Sequence, residues 1–290
     1  MTRARWFLGS LALCALIQGN ATAQINSPGA RTLFARNFLY RSDWRLTRLS
    51  NLQNDGDEVP DPLDRDVSVL VWRNTFVYGL PHSFMMVGEL PVVTRSASRT
   101  LAGERSSSRD TGLADPMFLL QYDGLYRANR PGGFTRLAGF VGVRPPWGQK
   151  PFSTGATGFV SGLVFSHATS RWWLNSDIQW IATTEAQGFE AGDVLQVDAS
   201  LMYRLLTYPE HNDLFLVLEL NSISEGQDAS NGIGIEDTGG NLVFVSPGLE
   251  IFLLRNLALE FSAQIPVHQD SNGTQLGRGW VFVSGFRFLY

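Results

Sequence analysis

The residue types best suited to chemistry gather near the end of the chain, in His268-Gln269-Asp270-Ser271-Asn272-Gly273. A serine nucleophile needs its base within hydrogen-bond reach. Two residues separate His268 from Ser271, so a strand carrying both would point them to opposite faces. Ser230-Asn231-Gly232 has no adjacent histidine and reads as a turn. A second cluster, Asp55, Asp57, Glu58, Asp61, Asp64 and Asp66, could hold a hard cation, but it lacks the regular spacing of a dedicated calcium loop and reads as a solvated acidic loop. Phe152-Ser153-Thr154-Gly155-Ala156-Thr157-Gly158-Phe159 is glycine-rich, yet no helix pattern follows, so it reads as a hairpin loop and not a phosphate cradle. No dinucleotide fingerprint or His/Cys metal cluster is present. The expectation is a chain with no cofactor, no metal and no enzymatic activity.

The elements that position the remaining charged residues are announced by both ends of the chain. Arg3 and Arg5 precede an apolar run from Trp6 to Ile17, then Ala21-Thr22-Ala23, the pattern of a secretory leader spanning residues 1–23. No later segment offers the roughly 20 continuous apolar residues of a spanning helix. The single cysteine, Cys14, lies in the leader, so no disulfide is expected in residues 24–290. The chain carries a net charge of −4 and one lysine, Lys150, which gives it no basic field for nucleic acid. Its 44% hydrophobic content and mean hydropathy of −0.04 would suit a soluble enzyme. Membrane barrels hide in such averages, because lipid-facing and lumen-facing residues alternate. The last segment, Trp280 to Tyr290, alternates with aromatic residues on one face, as outer-membrane strands do.

Period-two segments bounded by turn residues recur twelve times, at 32–46, 65–78, 83–94, 113–126, 134–146, 157–168, 172–184, 193–206, 214–226, 241–252, 257–268 and 279–290. Long and short linkers alternate between them. The long ones are 47–64, 95–112, 147–156, 185–192, 227–240 and 269–278; the short ones are 79–82, 127–133, 169–171, 207–213 and 253–256. Short periplasmic turns and long external loops have this parity. The reading is an all-β fold: an antiparallel outer-membrane β-barrel of twelve strands, both termini periplasmic. Pro91, Pro145 and Pro266 fall at one height near the outer rim and predict local kinks, since proline removes a ladder donor.

The more apolar set of each strand should meet lipid: Phe34, Phe38, Tyr40 and Trp44; Trp72 and Phe76; Met86 and Leu90; Phe118, Leu120 and Tyr122; Trp172, Leu174, Ile178 and Trp180; and Leu214 through Leu220 at alternate positions. The opposite set then lines the lumen: Arg41, Asp43, Arg73, Glu89, Gln121, Asp123, Arg136, Arg144, Asp177, Asp198, Arg204, Glu219, Glu250, Glu260, His268 and Arg287. So many charges in strands are tolerable only inside, since Arg facing lipid at the midplane costs about 2–4 kcal/mol. Two readings of that interior stand side by side. Opposite charges could pair across the lumen and plug it, or part of the set could line a conduit that selects solutes.

The stretches "VYGLPHSFMMVGELPVV", "PFSTGATGF", "GDVLQVDASLMYRL", "LFLVLELN" and "VSPGLEIFLLRNLALEFSAQIPVHQDSNG", closed by "GFRFLY", resemble the outer-membrane family of transporters assigned to the phenol meta-cleavage degradation pathway. The likeness runs over roughly residues 31 to 290, and its motifs define the barrel. It implies passive transport of small solutes, aromatic or other hydrophobic compounds among them. The expected partners are outer-membrane lipid, a small-molecule solute and the barrel-assembly machinery acting on the C-terminal strand, with a monomer as the working unit. A structural or surface-interaction barrel is the alternative. A third, outer-membrane phospholipase, is disfavoured because that family has one residue, not two, between its histidine and serine.

Overall fold

The computed structural model describes residues 25–26, 35–130, 133–206 and 213–290. The expected leader at 1–23 and the expected lipid-facing Phe34 lie outside them. Twelve strands form the wall: β1 Phe38–Asn54, β2 Asp66–Gly79, β3 Phe84–Leu101, β4 Met117–Arg130, β5 Gly133–Arg144, β6 Gly158–Ala168, β7 Trp172–Thr183, β8 Val194–Leu206, β9 Leu214–Glu225, β10 Gly240–Leu254, β11 Leu257–Ser271 and β12 Thr274–Leu289. Each is antiparallel to the next, and β12 pairs with β1, so the sheet closes. No helix among the described residues is long and apolar enough to cross a membrane. Closure satisfies every edge of the sheet, which is what lets backbone cross hydrocarbon.

The alternation decides which side chains face out. Trp44, Trp72, Phe118, Leu120, Ile178, Trp180, Leu216, Leu218 and Leu220 are exposed on the outer wall, where they meet lipid. Trp44 and Trp72, opposite one another on β1 and β2, stack with ring centroids 6.3 Å apart. Leu218, near the middle of β9, is 53% exposed. Leu218→Arg should therefore cost about 2–4 kcal/mol, read as a lower urea midpoint for the barrel folded in lipid vesicles; an unchanged midpoint would place this face away from the hydrocarbon.

Three segments differ from the expected spans. Among the described residues the first strand runs from Phe38 on to Asn54, with residues 57–59 folded back on it. The expected loop 95–112 is a projecting hairpin, in which β3 continues to Leu101 and Glu104–Leu113 returns beside it. The expected loop 269–278 is a tight turn at Asn272-Gly273, because β11 and β12 both extend beyond the wall. The kinks fall where proline predicts them. At Pro91, β3 leaves β4 for its own hairpin partner, and Pro145 ends β5. At Pro266 the ladder loses register, and β11 pairs with β12 only as far as Gln264–Val281.

The acidic loop 55–66 joins local bonds to distant ones, since Gly273 donates to Asp55 and Arg105 pairs with Asp64. Asp61 accepts hydrogen bonds from the amides of Leu63 and Arg65 and pairs with the Arg65 guanidinium at 3.1 Å. Burial pushes its carboxyl up, but the Arg65 bond and those two amides outweigh burial and hold it below the usual carboxylate range. Its contribution to loop order is thus present above the ordinary carboxylate pKa and lost as the pH falls through the lowered folded value. Protection of the Leu63 and Arg65 amides, taken relative to intrinsic exchange at each pH, should fall in that acid window, and Asp61→Asn should remove the pH dependence of that protection.

Candidate lumen site

The register of β1, β2, β10, β11 and β12 brings six charged side chains into one buried network. Asp43 and Arg73 are direct cross-strand partners, joined by two hydrogen bonds of 2.9 and 3.1 Å. Arg41 lies opposite Arg287, and Glu250 opposite Glu260, so two like-charged pairs occupy neighbouring rows. Each pair neutralises the other: Arg41 reaches Glu260 at 2.8 Å, and Arg287 bonds Glu250 and lies 3.6 Å from Glu260. Gly285 makes room for this. It stands opposite both Asp43 and Glu260, and a Cβ there would meet the Ser42 carbonyl oxygen at 2.6 Å and the Asp43 Cβ at 2.7 Å.

A second part of the wall, on β7–β9, is acidic and amide-rich. Asp177 faces Asp198, Asp198 faces Asn221, and Ser200 faces Glu219. Asn221 and Gln196 donate to the two oxygens of Asp198, at 3.0 and 2.6 Å. Glu219 is occupied by a segment outside the barrel strands: Asn26 donates to it from both backbone and side chain, and also from its side chain to Ser262. Arg41 in turn donates to the Ile25 carbonyl. Ile25 and Asn26 are therefore seated inside the barrel, 0% and 4% exposed. Nothing in the period-two pattern signals this, since the two residues precede the first strand.

The third part is apolar and was also not foreseen. Met85 and Val87 of β3, Leu119 of β4, Phe140 of β5 and Val160 and Val164 of β6 are buried on the inner face and form one cluster. Over these positions the strands are apolar on both faces, as sheets covered on both sides are, and Glu89, Gln121 and Arg144 interrupt the strip. The near-continuous runs Phe84-Met85-Met86-Val87 and Met117-Phe118-Leu119-Leu120 carried that signal. Towards the short-turn end, Phe134, Trp173, Phe215 and Phe252 form a chain of edge-on ring contacts with centroids 5.6 to 6.0 Å apart. Arg136, Arg204 and Arg287 lie over Phe134, Phe215 and Phe252.

The other expected lumen residues take distinct places. Arg136 lies 3.6 Å from Asp123, and Arg204 pairs with Asp213 beside the short turn. Glu89 and Arg144, with Gln179, line a cavity of about 10 Å³, enough for one water. Gln121 is buried at the level of Met85 and Phe140. His268 departs from expectation. Val243 pairs with His268 and Phe244 with Pro266, so Val267 is an extra residue in the ladder. One extra residue exchanges the two faces. His268 therefore shares the outer face with Val243 and is exposed, and the Ser271 hydroxyl is bonded to Gln53.

The sequence model described as "Putative MetA-pathway of phenol degradation" matches residues 53–282. No curated protein matches the chain. Among solved structures, an outer membrane channel from Pseudomonas putida F1 superposes with a TM-score of 0.70 at 12% identity, covering 92% of this chain and 100% of that one. The β domain of the Bordetella autotransporter BrkA gives 0.47 at 13% identity, over 86% and 99% of the two chains. A monoaromatic hydrocarbon channel, CymD, gives 0.43 at 9% identity, over 89% of each. The fold is that of an outer-membrane β-barrel.

Proposed function

The chain belongs to the phenol MetA-pathway family, and from that premise we propose that it is a passive outer-membrane channel for small solutes, aromatic and other hydrophobic compounds above all. The observation that carries the reading is the apolar inner face of β3–β6, continued towards the short-turn end by the ring chain from Phe134 to Phe252. A water-filled porin needs no such surface; a solute with little polar area gains by sliding along it. The charged network on the opposite wall holds the strands in place, and its members, with Glu89 and Glu219 beside them, set which polar solutes are refused. In this reading the chain works as a monomer, with the short turns and both termini in the periplasm and the long loops outside. The assembly machinery engages β12, which carries Phe286 and Phe288.

Swelling of vesicles carrying the folded barrel tests this. Small neutral arenes such as phenol should enter faster than sugars of similar size, and Phe140→Gln should reduce arene entry while leaving sugar entry unchanged. Arene entry equal to that of protein-free vesicles would sink the reading. The buried ion pairs and the seated Asn26 favour one competitor, a barrel closed by its own side chains whose loops bind a partner. That barrel would pass nothing, and trimming the hairpin at 95–112 would abolish partner binding without harming the fold.

A further inference from the structure

The two ends of the barrel treat their arginines differently. At the long-loop end Arg48, Arg65, Arg105 and Arg278 are each tied to a carboxylate, on Asp66, Asp61, Asp64 and Glu225. At the short-turn end Arg36, Arg127 and Arg171 are exposed, and no ion pair among the described residues reaches them. Two carboxylates of that end, Asp123 and Asp213, are already engaged by Arg136 and Arg204. Register shows which way Arg127 points. Leu125 pairs with Leu137, and both are exposed on the outer wall. Two residues further on, Arg127 pairs with Thr135, Thr135 with His167, and His167 with Leu174, which is also exposed on the outer wall. Alternate residues of a strand share a face. Arg127, Thr135 and His167 therefore form one outward row across β4, β5 and β6, spanning two strand spacings or about 10 Å.

The row is polar where its neighbours are not. On its midplane side stand Leu125, Leu137 and Phe165. On its other side Trp172 is the next outward residue of β7 after Leu174, beside the turn that carries Arg171. Amphipathic aromatic rings settle at the headgroup level, so the row lies where hydrocarbon gives way to lipid phosphate. It is also internally joined, with the Thr135 hydroxyl 2.9 Å from His167 Nδ1. When that hydroxyl donates to Nδ1, the neutral ring carries its proton on Nε2 and can donate from there.

We propose that Arg127, Thr135 and His167, with Arg171 on the adjoining turn, bind the phosphate of an anionic glycerophospholipid in the leaflet beside the short turns. The planar guanidinium of Arg127 matches two phosphate oxygens at once, and His167 Nε2 supplies a further donor. The net charge of the lipid matters because these arginines have no counter-charge of their own. A zwitterionic headgroup brings its own cation and so leaves the arginines less well balanced. The inference rests on the outer wall meeting lipid and not on whether the barrel conducts.

The test is native mass spectrometry of the barrel folded in detergent micelles and titrated with dioleoyl phosphatidylglycerol or dioleoyl phosphatidylcholine. One phosphatidylglycerol should be retained per chain, at a lower half-saturating concentration than phosphatidylcholine. Arg127→Gln should raise that concentration about fivefold, and adding Arg171→Gln should bring it to the phosphatidylcholine value. His167→Leu, matched to the apolar wall, should raise it less, and serves if Arg127→Gln fails to fold. Arg105→Gln, on the external hairpin, should change nothing. Equal retention of the two lipids would overturn the proposal. So would a phosphatidylglycerol preference that survives the Arg127→Gln and Arg171→Gln pair, or one that Arg105→Gln weakens as much.

Discussion

Deleting Gln24, Ile25 and Asn26 should raise single-channel conductance severalfold. The two described residues of that segment fill space inside the barrel and are held there by three kinds of contact: Asn26 on Glu219, Asn26 on Ser262, and Arg41 on the Ile25 carbonyl. Hydrogen bonds to charged groups contribute about 1.5–3 kcal/mol each, so the segment is fastened, but by far fewer bonds than any strand. A second variant separates space from fastening. Glu219→Gln keeps the volume of the wall and weakens the charge-assisted bonds to Asn26, so it should produce flickering openings, with the fully open level equal to that of the deletion. Bilayer recordings of both variants with unchanged conductance would show that Ile25 and Asn26 do not limit passage.

Arg41→Met should destabilise the barrel by about 3–5 kcal/mol, the cost of leaving a buried charge without its partner. Arg41 is 1% exposed and its loss leaves Glu260 with only the longer contact to Arg287, 3.6 Å away. Glu260→Gln in the same chain should recover a large part of that loss, because it removes the stranded charge. Urea unfolding in micelles measures both, and the double variant gives the coupling between the two sites. If the double variant were as unstable as the sum of the singles, Arg41 and Glu260 would be acting separately and the network would not be one unit.

Arg41, Asp43, Glu219 and Glu260 were placed inward by alternation alone, because a charge on the lipid face is so costly that the strand has one acceptable phase. His268 was misplaced by the same logic. Alternation carries phase only while the ladder is regular, and the extra residue at Val267 is visible only once β10 is paired with β11. The inner apolar strip escaped for another reason: Met117-Phe118-Leu119-Leu120 is apolar at every position, so the pattern contains no phase to read. Pro266 announced an irregularity without saying which side chain it would turn.

By itself the sequence determined the class of fold, the number of strands and the inward facing of residues such as Arg41, Asp43 and Glu260. All of these follow from local periodicity, since side-chain direction in a strand depends only on position along it. The tertiary structure decided who meets whom. Arg41 finds Glu260 and Asn26 finds Glu219 across 219 and 193 positions of chain, and closure of β1 on β12 creates the first of these contacts. It also decided that Asp177 and Asp198 face one another, because register couples strands that no local pattern connects.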